Sequence, residues 1–268
     1  MTVFDAVERQ AWAGRAEAYA GGFARLCAYP VPALLDAAGV HAGVRVLDAG
    51  TGPGTAAAAA DRRGATVTAV DAQPDMVAMA SRAVPSADVR VAVLPRLPFA
   101  DDEFDAVVGN FVLNHVGAPR ATLRELRRVT RPGGAIALTI WSVPPGAGAD
   151  LLWRAVRATG AVPSRPLPTL APGEDFGRDE PGFAVLLSAA GLRGVRCRAF
   201  GWDHPTTAEE WWSGAASGVA RVGQVLANSS GPTVAEIKAH FDRFSTEFRG
   251  ADGRLLLPHR ALLASASV

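Results

Sequence analysis

From Val46 to Ala60 the chain reads VLDAGTGPGTAAAAA, with Gly50, Gly52 and Gly54 alternating behind a carboxylate, Asp48. A side chain at any of the three glycines would block a close approach to the main chain, so this spacing suits a turn pressed against a ligand. The alanine-rich helix that follows points its unpaired N–H groups at the same place. A second carboxylate, Asp71, closes the run TVTAVD and stands where an acid accepts from two ribose hydroxyls. Among the five histidines His115 is the best-placed base for a proton to be removed near neutral pH. His204, between Asp203 and Pro205, is a second candidate, and His41, His240 and His259 carry weaker signals.

Two classes of nucleoside cofactor use a strand, a glycine turn and a helix. A dinucleotide asks for G-x-G-x-x-G/A, which Gly52, Gly54 and Ala57 satisfy, with its pyrophosphate at the helix N-terminus. S-adenosyl-L-methionine (SAM) carries no phosphate and ends in a zwitterionic amino acid. Asp48, two residues ahead of the first glycine, would repel a pyrophosphate but accept from the turn or from an ammonium. The sign of that charge favours SAM, while Asp71 supports a ribose in either case.

These residues need a frame to hold them. Val-rich runs at 44–48, 66–71, 88–93, 104–109 and 135–141 alternate with helical stretches near 54–62, 74–84 and 119–129, and the last of these puts Leu123, Leu126 and Val129 on one face. Such alternation predicts a parallel sheet covered by helices on both sides. Helices are expected at 3–28 and 31–39, preceding the core rather than belonging to it. After Trp141 the chain loosens into SVPPGAG, and a Pro-rich loop is expected from Pro163 to Pro172. Beyond it come a helix near 181–190, a strand near 194–202, one or two helices across 207–248, and a last strand within 255–266. The expected organisation is a single domain, 1–268: N-terminal helices in 1–40, a cofactor-binding core in 44–141, and a C-terminal part in 142–268 with lid insertions near 142–190 and 205–250. No internal repeat is visible.

With 27 basic and 26 acidic residues the net charge is +1, and no dense basic run provides the footprint of a nucleic-acid binder. The two cysteines, Cys27 and Cys197, have no metal-ligand spacing, so no metal site is expected, and both thiols are expected to be reduced and buried. No leader for export and no apolar run long enough to span a membrane is seen, so a cytoplasmic protein with a small-molecule partner is expected. Nothing indicates the oligomeric state.

Five stretches in order, VLDAGTGPG at 46–54, VDAQPDM at 70–76, LPFADDEFD at 97–105, NFVLNHV at 110–116 and RELRRVTRPGG at 124–134, resemble the motifs of class I SAM-dependent methyltransferases. The resemblance implies a Rossmann-like, mostly parallel seven-stranded sheet with helices on both faces and the last strand antiparallel. It implies Gly50, Gly52 and Gly54 beside the cofactor, Asp71 on the ribose, Ala72 and Met76 against the adenine, and Leu94 and Asn110 in the same pocket. Tyr19, in WAGRAEAY, matches the residue that closes that pocket from an N-terminal helix, with core packing as its other reading. One position departs from the pattern: relatives place an acid after the third strand to accept from the adenine amino group, and here Val93 precedes LPRLPF.

The activity this implies is transfer of a methyl group to oxygen, nitrogen or carbon of a small molecule, such as a bacterial secondary metabolite, leaving S-adenosyl-L-homocysteine (SAH). The alternative is a SAM-binding enzyme of the same type that catalyses a cyclisation or rearrangement; a dehydrogenase-like nucleotide binder and a non-catalytic binding protein are further readings. His115 would act as base or shape the pocket. Trp141, Trp211 and Trp212 are candidate substrate contacts, the latter two with Phe241, Phe244 and Phe248 in an apolar lid or in simple packing of the tail.

Overall fold

The computed structural model describes residues 2–160 and 169–268. The part of the Pro-rich loop at 163–168 lies outside them. Four short helices open the chain: α1 (Val3–Trp12), α2 (Ala16–Gly21), α3 (Phe23–Cys27) and α4 (Val31–Ala37). The alternating core follows as β1 (Arg45–Ala49), α5 (Thr55–Asp61), β2 (Thr66–Asp71), α6 (Pro74–Ala83), β3 (Asp88–Val91), β4 (Phe104–Asn110), α7 (Pro119–Val129) and β5 (Thr130–Trp141). The tail adds α8 (Ala147–Ala158), α9 (Glu180–Ala189), β6 (Arg193–Thr206), α10 (Ala208–Ala216), α11 (Ala220–Ala227), α12 (Gly231–Ser245) and β7 (Leu255–Ser267).

The seven strands form one sheet in the order β3-β2-β1-β4-β5-β7-β6. β1, β2, β3, β4 and β5 pair in parallel, and β7 runs antiparallel between β5 and β6. Val46, Leu47 and Ala49 of β1 are fully buried because helices cover both faces, which is why the strand reads as a continuous apolar run. Leu123, Leu126 and Val129 of α7 are likewise fully buried against the sheet, and Pro119 starts that helix where its missing N–H costs nothing.

Four sequence expectations change. The helix expected over 3–28 is three helices, interrupted at Gly14 and at Gly22, whose backbone is not helical. Three helices, not one or two, fill 207–248, with Gly218 at φ 82° in the first break and Ser230 capping α12 after the second. An unexpected helix, α8, follows the SVPPGAG segment. Its glycines serve packing, since a Cβ on Gly146 would lie 2.5 Å from the Pro258 carbonyl oxygen and one on Gly148 would lie 2.6 Å from Leu257 Cβ. Cys27 is buried as expected, but Cys197 on β6 is only half-buried.

Candidate functional site

A cavity of about 150 Å³ opens beyond the carboxyl ends of β1, β2 and β4, where open α/β sheets place ligands. Gly50 and Gly52 form one wall. Gly50 sits at φ 73°, and a Cβ there would lie 2.7 Å from Val112 Cβ. The turn is tied back by the Gly50 and Thr51 N–H groups, which both donate to the Val70 carbonyl. Asp71 lies at the opening of β2 into the cavity, its two oxygens each accepting one backbone N–H at 2.9 Å, from Gly52 and from Gln73. Burial raises the Asp71 carboxyl above its usual range against those hydrogen bonds. Each oxygen keeps a lone pair for a further donor. Ala72, Met76 and Leu94 supply apolar lining, and Tyr19 closes the cavity.

Two site residues expected from sequence, Asp48 and Gly54, are placed differently, and a third, Asn110, is in place but engaged. Asp48 does not line the cavity. It is fully buried, accepts the Thr51 hydroxyl proton at 2.7 Å, and is pushed up to about 6 by desolvation. It therefore braces the glycine turn from behind. Gly54 is also outside the lining; at φ 91° it caps α5, and its lack of a Cβ lets α5 approach Ala80 of α6. Asn110 does line the cavity, but its amide is engaged, donating to the Cys27 carbonyl at 2.7 Å and accepting the Thr139 hydroxyl at 2.7 Å.

The acid missing after β3 is not replaced by a neighbouring side chain at that point. Val93 faces the cavity with an apolar group, and its carbonyl accepts from the Arg96 N–H. Charge elsewhere in the lining is mainly acidic, with Asp5, Glu8 and Asp71 against Arg9. That balance opposes a pyrophosphate and suits a ligand carrying a sulfonium and an ammonium. Bare glycine backbone, a desolvated carboxylate with spare acceptors and an apolar floor together fit SAM.

The N-terminal helices belong to this site rather than merely preceding the core. Asp5 of α1 accepts the Gly117 N–H at 2.6 Å, Gln73 donates from Nε2 to the Arg9 carbonyl at 2.8 Å, and the Ala16 N–H donates to Asp75 at 3.2 Å. So pinned, α1 lays Glu8 and Trp12 over the cavity. His115, in the turn after β4, brings Nδ1 within 2.9 Å of Glu8 Oε2. Burial works to raise the Glu8 carboxyl, but the hydrogen bond and charge of His115, with Arg221 and the Trp12 indole, overcome it and hold the carboxyl below its usual range. The Trp12 indole N–H also donates to His115 Nδ1, at 3.2 Å, so this ring nitrogen stands between a carboxylate that accepts and an indole that donates.

A second cavity of about 570 Å³ adjoins the first. Five residues line both: Glu8, Trp12, Tyr19, Phe111 and His115. Phe111 takes the left-handed conformation at φ 63°, uncommon for a bulky residue, with its N–H donating to Thr139 Oγ1 at 2.9 Å. Its ring stacks on Trp141 at 4.1 Å. Trp141 and Trp211 line the larger cavity, with His259 beside them. Trp212 lines neither cavity and packs on Phe241 at 5.5 Å, because adjacent helical residues point about 100° apart. His204 is buried behind the cavity against Trp211, while His41 and His240 lie outside both linings.

Glu8, Trp12 and Phe111 are the residues that sequence reasoning missed. The N-terminal signal was present in the capping box of Thr2 and Asp5, which starts a helix with Glu8 and Trp12 one turn apart. Among the described residues no group of three His, Cys, Asp or Glu could hold a metal, and no helix is long and apolar enough to cross a membrane.

A family model for the methyltransferase domain matches residues 47–138. The chain is 38% identical over 174 residues to a demethylmenaquinone methyltransferase of Beutenbergia cavernae, covering 62% of this chain and 72% of that protein. It is 36% identical over 175 residues to the demethylmenaquinone methyltransferase of Mycolicibacterium paratuberculosis, covering 62% and 75%. Among solved structures the YcgJ protein of Bacillus subtilis superposes with a TM-score of 0.57 at 21% identity, over 89% of this chain and 97% of that one, a likeness of fold.

Proposed function

The chain belongs to the class I SAM-dependent methyltransferases, and from that premise we propose that its small-molecule acceptor occupies the larger cavity and meets the methyl donor across the wall of Glu8, Trp12, Tyr19, Phe111 and His115. The observation that carries this reading is that those five side chains line both cavities. Bound SAM supplies an electrophilic methyl group on a sulfonium. The residues of the chain then have three tasks: to hold the adenosyl part, to align the acceptor, and to keep water from the joint between the cavities.

For the first task, Asp71 takes the ribose hydroxyls, Ala72 and Met76 flank the adenine, and the bare backbone at Gly50 and Gly52 admits the rest. For the second, the aromatic walls of the larger cavity select a flat apolar molecule. The two bacterial relatives are named for demethylmenaquinone, which supports an acceptor of that character; a secondary metabolite of similar build fits the same cavity. His115 serves the acceptor as base in the tautomer whose Nδ1–H donates to Glu8, with Nε2 taking a proton from a phenol or another ionisable nucleophile. A 3₁₀ turn pinned to α1 fixes the ring at the shared wall.

The test is transfer of label from methyl-tritiated SAM to 1,4-naphthohydroquinone or 2-naphthol, with the product identified by mass. Stoichiometric SAH and a methylated aromatic are expected. Consumption of an acceptor with SAM recovered intact would contradict methyl transfer and point to a rearrangement on the same scaffold.

A further inference from the structure

The cofactor cavity runs along the carboxyl ends of neighbouring strands, and the sheet order β3-β2-β1-β4 decides which part of SAM meets which end. Glu8, Trp12, Tyr19, Phe111 and His115 divide it from the larger cavity, so the sulfur that bears the methyl group turns to the side of β4. Asp71, at the end of β2, takes the ribose. The base is left the remaining end, toward β3, where the lining is Ala72, Met76, Ala92, Val93 and Leu94. Four of these side chains are aliphatic and one is a thioether, so none brings a carboxylate, amide or hydroxyl to an amino group on the base.

Acceptors elsewhere in the lining are committed. Asp5 takes the Thr2 N–H and hydroxyl on one oxygen and the Gly117 N–H on the other. Glu8 holds His115 at the shared wall, and Asn110 accepts from the Thr139 hydroxyl. Gln73 turns its amide to α1, where Nε2 donates to the Arg9 carbonyl at 2.8 Å, and the Arg9 guanidinium only donates. At the β3 end itself the Val93 carbonyl accepts the Arg96 N–H at 3.0 Å. β3 is an edge strand with Val91 52% exposed, so a polar group carried past Val93 meets water and is not buried unpaired.

We propose that this end of the cavity holds the base by shape alone and does not read the amino group at position six of the purine. The protein then takes methionine sulfonium nucleosides of purines that lack this group as well as SAM. The proposal rests on SAM as the cofactor and is independent of the acceptor assigned to the larger cavity. A carboxylate at position 93 would act in the opposite way: it would accept from the amine, and it would reject a base without one because its charge would be desolvated with no partner. Val93 brings neither the gain nor the penalty. Apolar contact with Met76, which is 3% exposed, and with Ala72 and Leu94 is kept by any flat purine.

The test titrates the full chain calorimetrically with SAH and with the analogue of SAH that carries hydrogen in place of the amino group. The two dissociation constants should agree within about threefold. In Val93→Asp, SAH should bind about tenfold or more tightly than the analogue. A preference for SAH larger than about threefold in the unsubstituted chain would overturn the proposal, since some acceptor would then read the amine. A folded Val93→Asp protein that gains no preference would overturn it too, because position 93 would then not face position six. If that variant fails to fold, the ratio in the unsubstituted chain still decides. Protein that binds neither compound would strike the SAM reading itself, and the proposal with it.

Discussion

Asp71→Asn changes one atom and removes a defined set of interactions. In the wild-type site the two carboxylate oxygens accept separately from the Gly52 and Gln73 N–H groups, each at 2.9 Å. An asparagine has one acceptor oxygen, and its NH₂ must face the other N–H donor. One buried backbone donor is then unpaired, at a cost of roughly 1–3 kcal/mol to stability, or a melting temperature lower by about 3–9 °C for a chain of this size. On the ligand side one charge-assisted hydrogen bond to a ribose hydroxyl is lost, about 1.5–3 kcal/mol, so the Kd for SAH should rise roughly 10- to 100-fold. The ribose is remote from the reacting methyl, so KM for SAM should rise while kcat stays within a few-fold. Calorimetric titration with SAH gives the first number and initial-rate kinetics the second. SAH binding within about threefold of wild type, by a variant that shows the expected loss of stability, would refute the placement of the ribose on Asp71.

His115→Gln should leave SAH affinity nearly unchanged and lower kcat for a phenolic acceptor by roughly 100-fold, whereas equal losses of SAH binding and turnover would mean that His115 only shapes the pocket. Gly50→Ala adds a Cβ 2.7 Å from Val112 Cβ at φ 73° and should cost about 3 kcal/mol from conformation and overlap together; Gly39→Ala, at φ 63° with nothing within 4 Å, should cost only about 1 kcal/mol, and thermal melts that rank the two the other way would contradict the turn geometry. Asp48 and His259 make opposed contributions to the dependence of stability on pH. Desolvation lifts Asp48 from 3.8 to about 6, so the folded state keeps a proton that the unfolded chain has lost, and this contribution falls as pH rises through that window, by roughly 3 kcal/mol in all. Desolvation lowers His259 from 6.5 to about 4, so here the unfolded chain holds the extra proton and stability rises with pH over nearly the same window, again by roughly 3 kcal/mol. Relative to wild type, Asp48→Asn should therefore lose more stability on acidification from pH 6.5 to 4 and His259→Phe less; profiles parallel to wild type in both variants, measured by denaturant titration, would show that neither shift exists.

The cofactor half of the site was legible because it is local in sequence. A strand, a glycine turn and the acid at the end of the next strand lie within one βαβ unit, and Gly50, Gly52 and Asp71 line one cavity as their spacing suggested. What could not be read is what folding brings from afar. Glu8 meets His115 only because Asp5 and Gln73 dock α1 across the sheet end, and nothing near Glu8 in the chain announces that contact. Asp48 was misjudged for a related reason: its charge suggested a ligand, but whether a carboxylate at a strand end faces a cavity or the turn behind it depends on the side chain's direction, which spacing does not give. Gly146 and Gly148 looked like loop residues and are instead the flat side of α8, required by the backbone of β7. Trp211 and Trp212 looked equivalent, and only helical phase separates them.

The central claim is that SAM and its acceptor occupy two cavities that meet at Glu8, Trp12, Tyr19, Phe111 and His115. A crystal structure of the chain with SAH, followed by a soak with 2-naphthol, tests it most directly. The account predicts SAH on Gly50, Gly52 and Asp71 with its sulfur turned to the shared wall, and the naphthol on the other side of that wall among Trp141, Trp211 and His259. SAH in the larger cavity, or naphthol bound only outside it, would contradict the account.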